Sequence, residues 1–232
     1  MASSYGAWTR RSISGRCNQF LGRWSRFLAA AAASLLFSPL LLCAEDRFRA
    51  EFFGGTAWSV PTTLAIDQSG EERISFRAHW ETRPFEDAPY YAARVALWSQ
   101  RRGWELQLLH HKIYLTNGPP EVEHFEVSHG WNLITIQRAS RGRILDWRLG
   151  AGAVVAHAEG RIRGREVGTG DYHLSGAGAL VGAGKSFAIS RRFFATAEGQ
   201  VTFSWARVPI EEGHARTANI AFHALFGLGF GL

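Results

Sequence analysis

The sequence predicts an all-β protein: an antiparallel, up-and-down transmembrane β-barrel of about ten strands, with eight as the alternative count. Three observations predict it. Apolar and polar residues alternate with period two in one segment after another. The polar positions hold Gly, Ala, Ser and Thr with single charges, not the Lys and Glu of a wet surface. Short and long connections follow one another in turn.

The first 44 residues are expected to be a cleaved export signal, leaving 45–232 as the barrel. Arg10, Arg11, Arg16, Arg23 and Arg26 precede the apolar run FLAAAAASLLFSPLLL, and small Ala44 ends it before Glu45 and Asp46. Phe27 to Leu42 is shorter than the roughly 20 apolar residues of a spanning helix and contains Pro39. The chain has 232 residues and a formal charge of +6. Those early arginines account for most of that excess, so the rest is close to neutral. This argues against a nucleic-acid partner, which needs a concentrated basic surface. Cys17 and Cys43 both precede Ala44. Disulfides are therefore not expected to hold the exported part together.

The strands are expected near 47–58, 62–67, 72–82, 90–99, 103–115, 122–138, 143–158, 172–189, 193–208 and 217–232. In 72–82, Ile74, Phe76, Ala78 and Trp80 alternate with Arg73, Ser75, Arg77 and His79. Tyr91, Ala93, Val95 and Leu97 share one face of the next. Trp104, Leu106 and Leu108 do so in 103–115, and Leu145, Trp147 and Leu149 in 143–158. In the last strand Ile220, Phe222, Ala224, Phe226, Leu228 and Phe230 face one way, and Ala221, His223, Leu225, Gly227 and Gly229 the other. The greasy face is expected to meet lipid and the small face a crowded lumen. Two strands are long enough to exceed the roughly 9–11 residues that cross a bilayer at a tilt. Short turns at 68–70, 100–103, 140–142 and 190–192 are expected in the periplasm, and the long connections outside. If 48–67 is one irregular strand, the count falls towards eight. A soluble, lipocalin-like binder is the rival from another class, with the apolar face as its core.

Trp80, Trp98, Trp104, Trp147 and Trp205 fall near predicted strand ends, where aromatic girdles meet headgroups. On these patterns the chain resembles the small bacterial outer-membrane β-barrels, the OmpA/OmpW-like and porin-type proteins. The resemblance covers Arg47 to Leu232 and rests on no specific motif. It departs from the family at the end, where Leu232 stands in place of a terminal aromatic residue. It implies a place in the Gram-negative outer membrane, insertion by the barrel assembly machinery, and contact with outer-membrane lipids and lipopolysaccharide as a monomer.

Two sets of residues are candidates for function. A lumen charge network is expected from Arg73, Arg77, Arg94, Glu105, Glu126, Asp146, Arg148 and Glu198, with Arg49, Glu51 and Glu81 beside it. Mixed signs predict pairing, because lone buried charges are costly, and a plugged or narrow lumen with a structural or surface-interaction role. A narrow solute pore is one alternative. The other is a lipid-acting hydrolase, comparable in class to lipid A deacylases, with Ser128 as nucleophile, His111 or His129 as base and Glu126 orienting the ring. A metal site of His110, His111 and His124 is disfavoured, since the first two face opposite ways on a strand. No metal and no cofactor is expected. Arg161, Arg163 and Arg165 alternate in a long loop and are candidates for pairing with lipopolysaccharide phosphates.

Overall fold

A computed structural model describes residues 46–86 and 89–232. The expected export signal and both cysteines lie outside the described residues. The described residues form thirteen strands: β1 Asp46–Ser59, β2 Thr62–Gln68, β3 Ile74–Ala78, β4 Trp80–Glu81, β5 Tyr91–Ser99, β6 Arg102–Leu115, β7 Val122–Ser140, β8 Asp146–Ala156, β9 Glu159–Ile162, β10 Arg165–Glu166, β11 His173–Ala188, β12 Phe193–Ile210 and β13 Gly213–Gly231.

The antiparallel ladders form a closed circuit. β1 pairs with β5, β5 with β6, β6 with β7, β7 with β8, β8 with β11, β11 with β12, β12 with β13, and β13 returns to β1. The ring therefore has eight members, the alternative count, and no free edge. The two extra segments of the ten-strand count belong to walls already counted. β2 continues β1 along β13, with Leu64 opposite Thr217 and Ser59 opposite Ala221. Pro61, which has no N–H to give, stands in the one-residue irregularity between them. β3 pairs with β2, and β4 with the far end of β6, before the chain leaves the wall and re-enters it as β5.

Both ends of the barrel wall and the turns at 100–101, 141–145 and 189–192 lie at one end, the periplasmic end by the usual asymmetry. The short turns at 69–73 and 211–212 lie at the other, which corrects the expected periplasmic place of 68–70. Near the periplasmic end the exterior is apolar. Phe52, Trp58, Trp104, Ile136, Trp147, Leu149, Phe203, Phe222 and Leu228 are exposed, and Phe226 is 67% exposed. The inward positions of the same strands are polar: Arg94 is 2% exposed, and Glu105, Gln107, Gln137, Glu198, Gln200 and Thr202 are buried. A closed barrel with this polarity is a lipid-embedded one. The chain is a small outer-membrane β-barrel.

The polarity reverses towards the other end. On β12 the inward residues run Thr196, Glu198, Gln200, Thr202 and Ser204, then Ala206, Val208 and Ile210. The outward ones run Phe193 to Trp205 and then Arg207. Leu64, Ile66, Trp80, Ile113, Phe125, Val127, Trp131, Ile162 and Val208 belong to one buried apolar cluster. The barrel thus continues past the lipid belt as a head built like a soluble protein, with apolar residues inside and charges outside.

This reversal corrects the placement of four expected lumen residues, Arg73, Arg77, Glu81 and Glu126, the last lying between inward Phe125 and Val127 and pairing with exposed His124. Ile74 and Phe76 pack against the apolar cluster, so Arg73 and Arg77, on the opposite face, meet solvent. Glu81 is also exposed, 3.3 Å from Arg83. Two of the expected girdle residues are inside as well. Trp80 and Trp98 are buried, whereas Trp104, Trp147 and Trp205 are on the exterior. Trp98 closes the periplasmic mouth beneath Arg141, whose guanidinium carbon lies 4.6 Å from the ring centroid. Gly103 opposite it makes room: a Cβ there would sit 2.8 Å from the Trp98 ring.

Candidate functional site

The lumen network is built from side chains that the strand register lifts to one level. Glu51 on β1 stands opposite Arg94 on β5, and Arg94 opposite Gln107 on β6. Arg94 donates to Glu198 Oε1 at 2.7 Å, to Glu198 Oε2 at 2.9 Å, and to Gln107 Oε1 at 2.7 and 3.0 Å. Its other carboxylates, Glu51 and Glu105, are each 3.5 Å away. Arg148 on β8 reaches Glu105 at 2.8 Å and Glu198 at 3.0 Å. Thr196 donates to Glu51 at 2.8 Å, and Gln200 to Glu198 at 2.6 Å. The planar fork of Arg94 suits this two-oxygen contact with Glu198. Of the expected network, the structure brings together Arg94, Glu105, Arg148 and Glu198. Asp146 lies nearer the mouth, 3.7 Å from Lys185. Gln107, Thr196 and Gln200 were missed because neutral side chains give no charge signal, although their inward register was visible.

A second polar layer lies next to it. His223 accepts or donates between Tyr90 Oη at 2.7 Å and Thr202 Oγ1 at 2.8 Å. His111 is buried against Ser59 Oγ at 3.3 Å, and Asn219 donates to the same oxygen at 3.0 Å. Trp131 donates to Ser204 at 2.9 Å. The apolar cluster of the head begins beyond this layer.

The expected hydrolytic group is dispersed. His111 stands opposite Trp131, not Ser128, because β7 carries two extra residues where His111 to Ile113 face Trp131 to Val127. Gly130, with φ +127°, makes that bulge possible. Glu126 bonds to His124 at 2.6 Å and does not orient a base. Ser128 Oγ does lie 3.3 Å from His129 Nδ1. The carboxylate found beside that ring is Glu159, 3.0 Å from the same Nδ1. A relay needs hydroxyl and carboxylate on different ring nitrogens, and here both occupy one.

The bulge swings the His129 ring outward, where it joins residues that the sequence did not single out. His157 Nε2 is 3.0 Å from Glu159 Oε1, and His157 Nδ1 is 3.0 Å from the Asp171 carbonyl. Tyr172 donates to the His129 carbonyl at 2.9 Å. The one available signal was the His-x-Glu spacing of 157–159, which puts two ligand-type side chains on one face. Tyr91, Leu108, His110, Asn132, Ile134 and Val155 line a shallow groove of about 370 Å³ on the outer wall beside His129.

The rim of the head is a set of half-buried and exposed ion pairs. Asp67 meets Arg73 at 2.6 Å, Arg216 at 2.8 Å and His214 at 3.2 Å. The hydrogen bond from Arg73 holds the Asp67 carboxyl below its ordinary range despite partial desolvation. Partial burial, with Arg207 nearby, lowers the His214 ring. The loop arginines are engaged too: Arg161 with Glu123 at 3.3 Å, Arg163 with Gln68 at 2.6 Å and Arg165 with Glu212 at 3.1 Å.

No protein-family model matches the chain, and no curated protein matches it. Among solved structures, Ail, the attachment invasion locus protein of Yersinia pestis, is similar at 10% identity, covering 81% of this chain and 99% of that one, with a TM-score of 0.40. Neisserial surface protein A is similar at 9% identity over 80% of this chain and 96% of that one, TM-score 0.38. The outer membrane protein OprG from Pseudomonas aeruginosa is similar at 10% over 81% and 96%, TM-score 0.38. These scores are low, and the assignment to the outer membrane stands on the chain's own closed ladder and lipid-facing belt.

Proposed function

We propose that this chain is a non-conducting outer-membrane barrel, with a sealed lumen as its structural core and its working surface in the extracellular head. The observation that carries this is Arg94. Its side chain has no exposure, and it is held by Glu198, Glu105 and Glu51 across the narrow lumen. Trp98 lies at the periplasmic mouth, and the apolar cluster fills the head beyond. Ions would have to break a packed network to pass. An eight-stranded barrel is just wide enough for its side chains to fill it.

The partners that fit are outer-membrane lipid and lipopolysaccharide around the belt, with insertion as a monomer by the barrel assembly machinery. The charged rim is the surface offered to the exterior. In planar bilayers the purified chain is expected to give no discrete conductance steps. Regular single-channel steps would favour the narrow-pore alternative and overturn this reading.

The hydrolytic alternative has one contact in its favour, between Ser128 and His129, beside a groove on the lipid-facing wall. The shared ring nitrogen counts against it. If it holds, the protein releases fatty acid from outer-membrane lipid and Ser128→Ala abolishes that release. On the sealed-barrel reading there is no release to abolish.

A further inference from the structure

We propose that His129, His157 and Glu159 form a binding site for a divalent transition-metal ion, zinc by donor chemistry, where the β7 bulge meets the segment after β8. One ligand atom from each residue lies within 4.8 Å of the others. Glu159 Oε1 is 3.0 Å from His129 Nδ1 and 3.0 Å from His157 Nε2. Ligand bonds of about 2.0–2.1 Å put neighbouring donor atoms roughly 3.0–3.4 Å apart around a zinc ion. The spacing is therefore that of a coordination edge.

Proton placement argues for the same ion. A backbone carbonyl only accepts, so the bond to Asp171 O requires the proton of His157 on Nδ1. In the neutral ring Nε2 then presents a lone pair to a carboxylate oxygen 3.0 Å away. Two lone pairs face each other unless a positive centre joins them. A metal ion satisfies this contact and the one between Glu159 and His129 together. The Asp171 carbonyl is the outer partner that fixes a ligating histidine's tautomer. Ser128 Oγ, near His129 Nδ1, is a rotor that can turn away. Two histidines and one carboxylate leave a zinc ion an open position for water or an anionic oxygen. The ion would tie the outward-swung bulge to the β8–β9 connection.

The test uses the folded chain in detergent micelles, without a polyhistidine tag and stripped with a chelator. Zinc is titrated calorimetrically, and cobalt is used as a spectroscopic probe of coordination. Expected are one equivalent of zinc per chain and a loss of affinity of at least about tenfold in each of His129→Ala, His157→Ala and Glu159→Gln. His124→Ala, which removes a histidine from the nearby Glu126 pair, leaves affinity unchanged. A boiling-dependent gel shift retained in every variant shows that the barrel still folds. Absence of saturable zinc binding overturns the proposal. Equal affinity in all the variants also overturns it, because the metal then sits elsewhere.

Discussion

Arg94 and Arg148 are buried among Glu51, Glu105 and Glu198, so each charge depends on its neighbours and not on water. Removing one partner of such a set leaves the rest uncompensated, at a cost of roughly 3–5 kcal/mol. Arg94→Ala is accordingly expected to lower the midpoint of urea unfolding in micelles, measured by the boiling-dependent gel shift. Arg94→Met combined with Glu198→Leu is expected to recover part of the loss, since an apolar pair of similar volume needs no partner. If the single variant unfolds like the wild type, the network does not hold the lumen. The sequence located these charges well, because an isolated Arg or Glu on a small-residue face has few other places to go. It did not foresee the His129, His157 and Glu159 group, because a bulge moved His129 to the face opposite the one alternation assigns.

Among the elements, the β2–β3 hairpin is where pattern and structure part. Its alternation is as regular as that of the lipid-facing strands, but Ile74 and Phe76 face a dry core and Arg73 faces water. Period two says that a strand has two faces and not which one meets lipid. That choice depends on height above the membrane, which no single strand encodes. The same hairpin carries a pH response. Asp67 is held below the usual carboxylate range and His214 below the usual imidazole range. Both then bind fewer protons folded than unfolded, so stability falls as pH falls. The His214 contribution is complete above about pH 6.5, and that of Asp67 above about pH 4. Protection factors in β2 and β3, taken against the intrinsic exchange rate at each pH, are expected to fall in two stages as pH is lowered through those ranges. Asp67→Asn should remove the more acidic stage. Exchange that follows only the intrinsic chemical rate would contradict this.

On the scale of the whole molecule, two environments are stacked along one set of eight walls. Outward Phe193 to Trp205 on β12, and Ile220 to Phe230 on β13, form the belt. Arg207, His214 and Arg216 stand on the same outer face above it. The reversal at Trp205 and Ala206 fixes where lipid ends. It also explains why the chain is greasy outside and charged inside over one half and the reverse over the other. Residues 45–232 contain no cysteine, so single spin labels can be placed without interference. The most direct test is a scan of labels along Phe193–Ile210 in lipid vesicles, comparing collision with oxygen and with a water-soluble nickel chelate. Oxygen is expected to dominate at odd positions up to Trp205, both reagents to be low at even positions throughout, and the chelate to dominate at the odd positions Arg207 and Pro209. Oxygen dominating at Glu198 and Thr202, or chelate access at Phe203, would contradict the account.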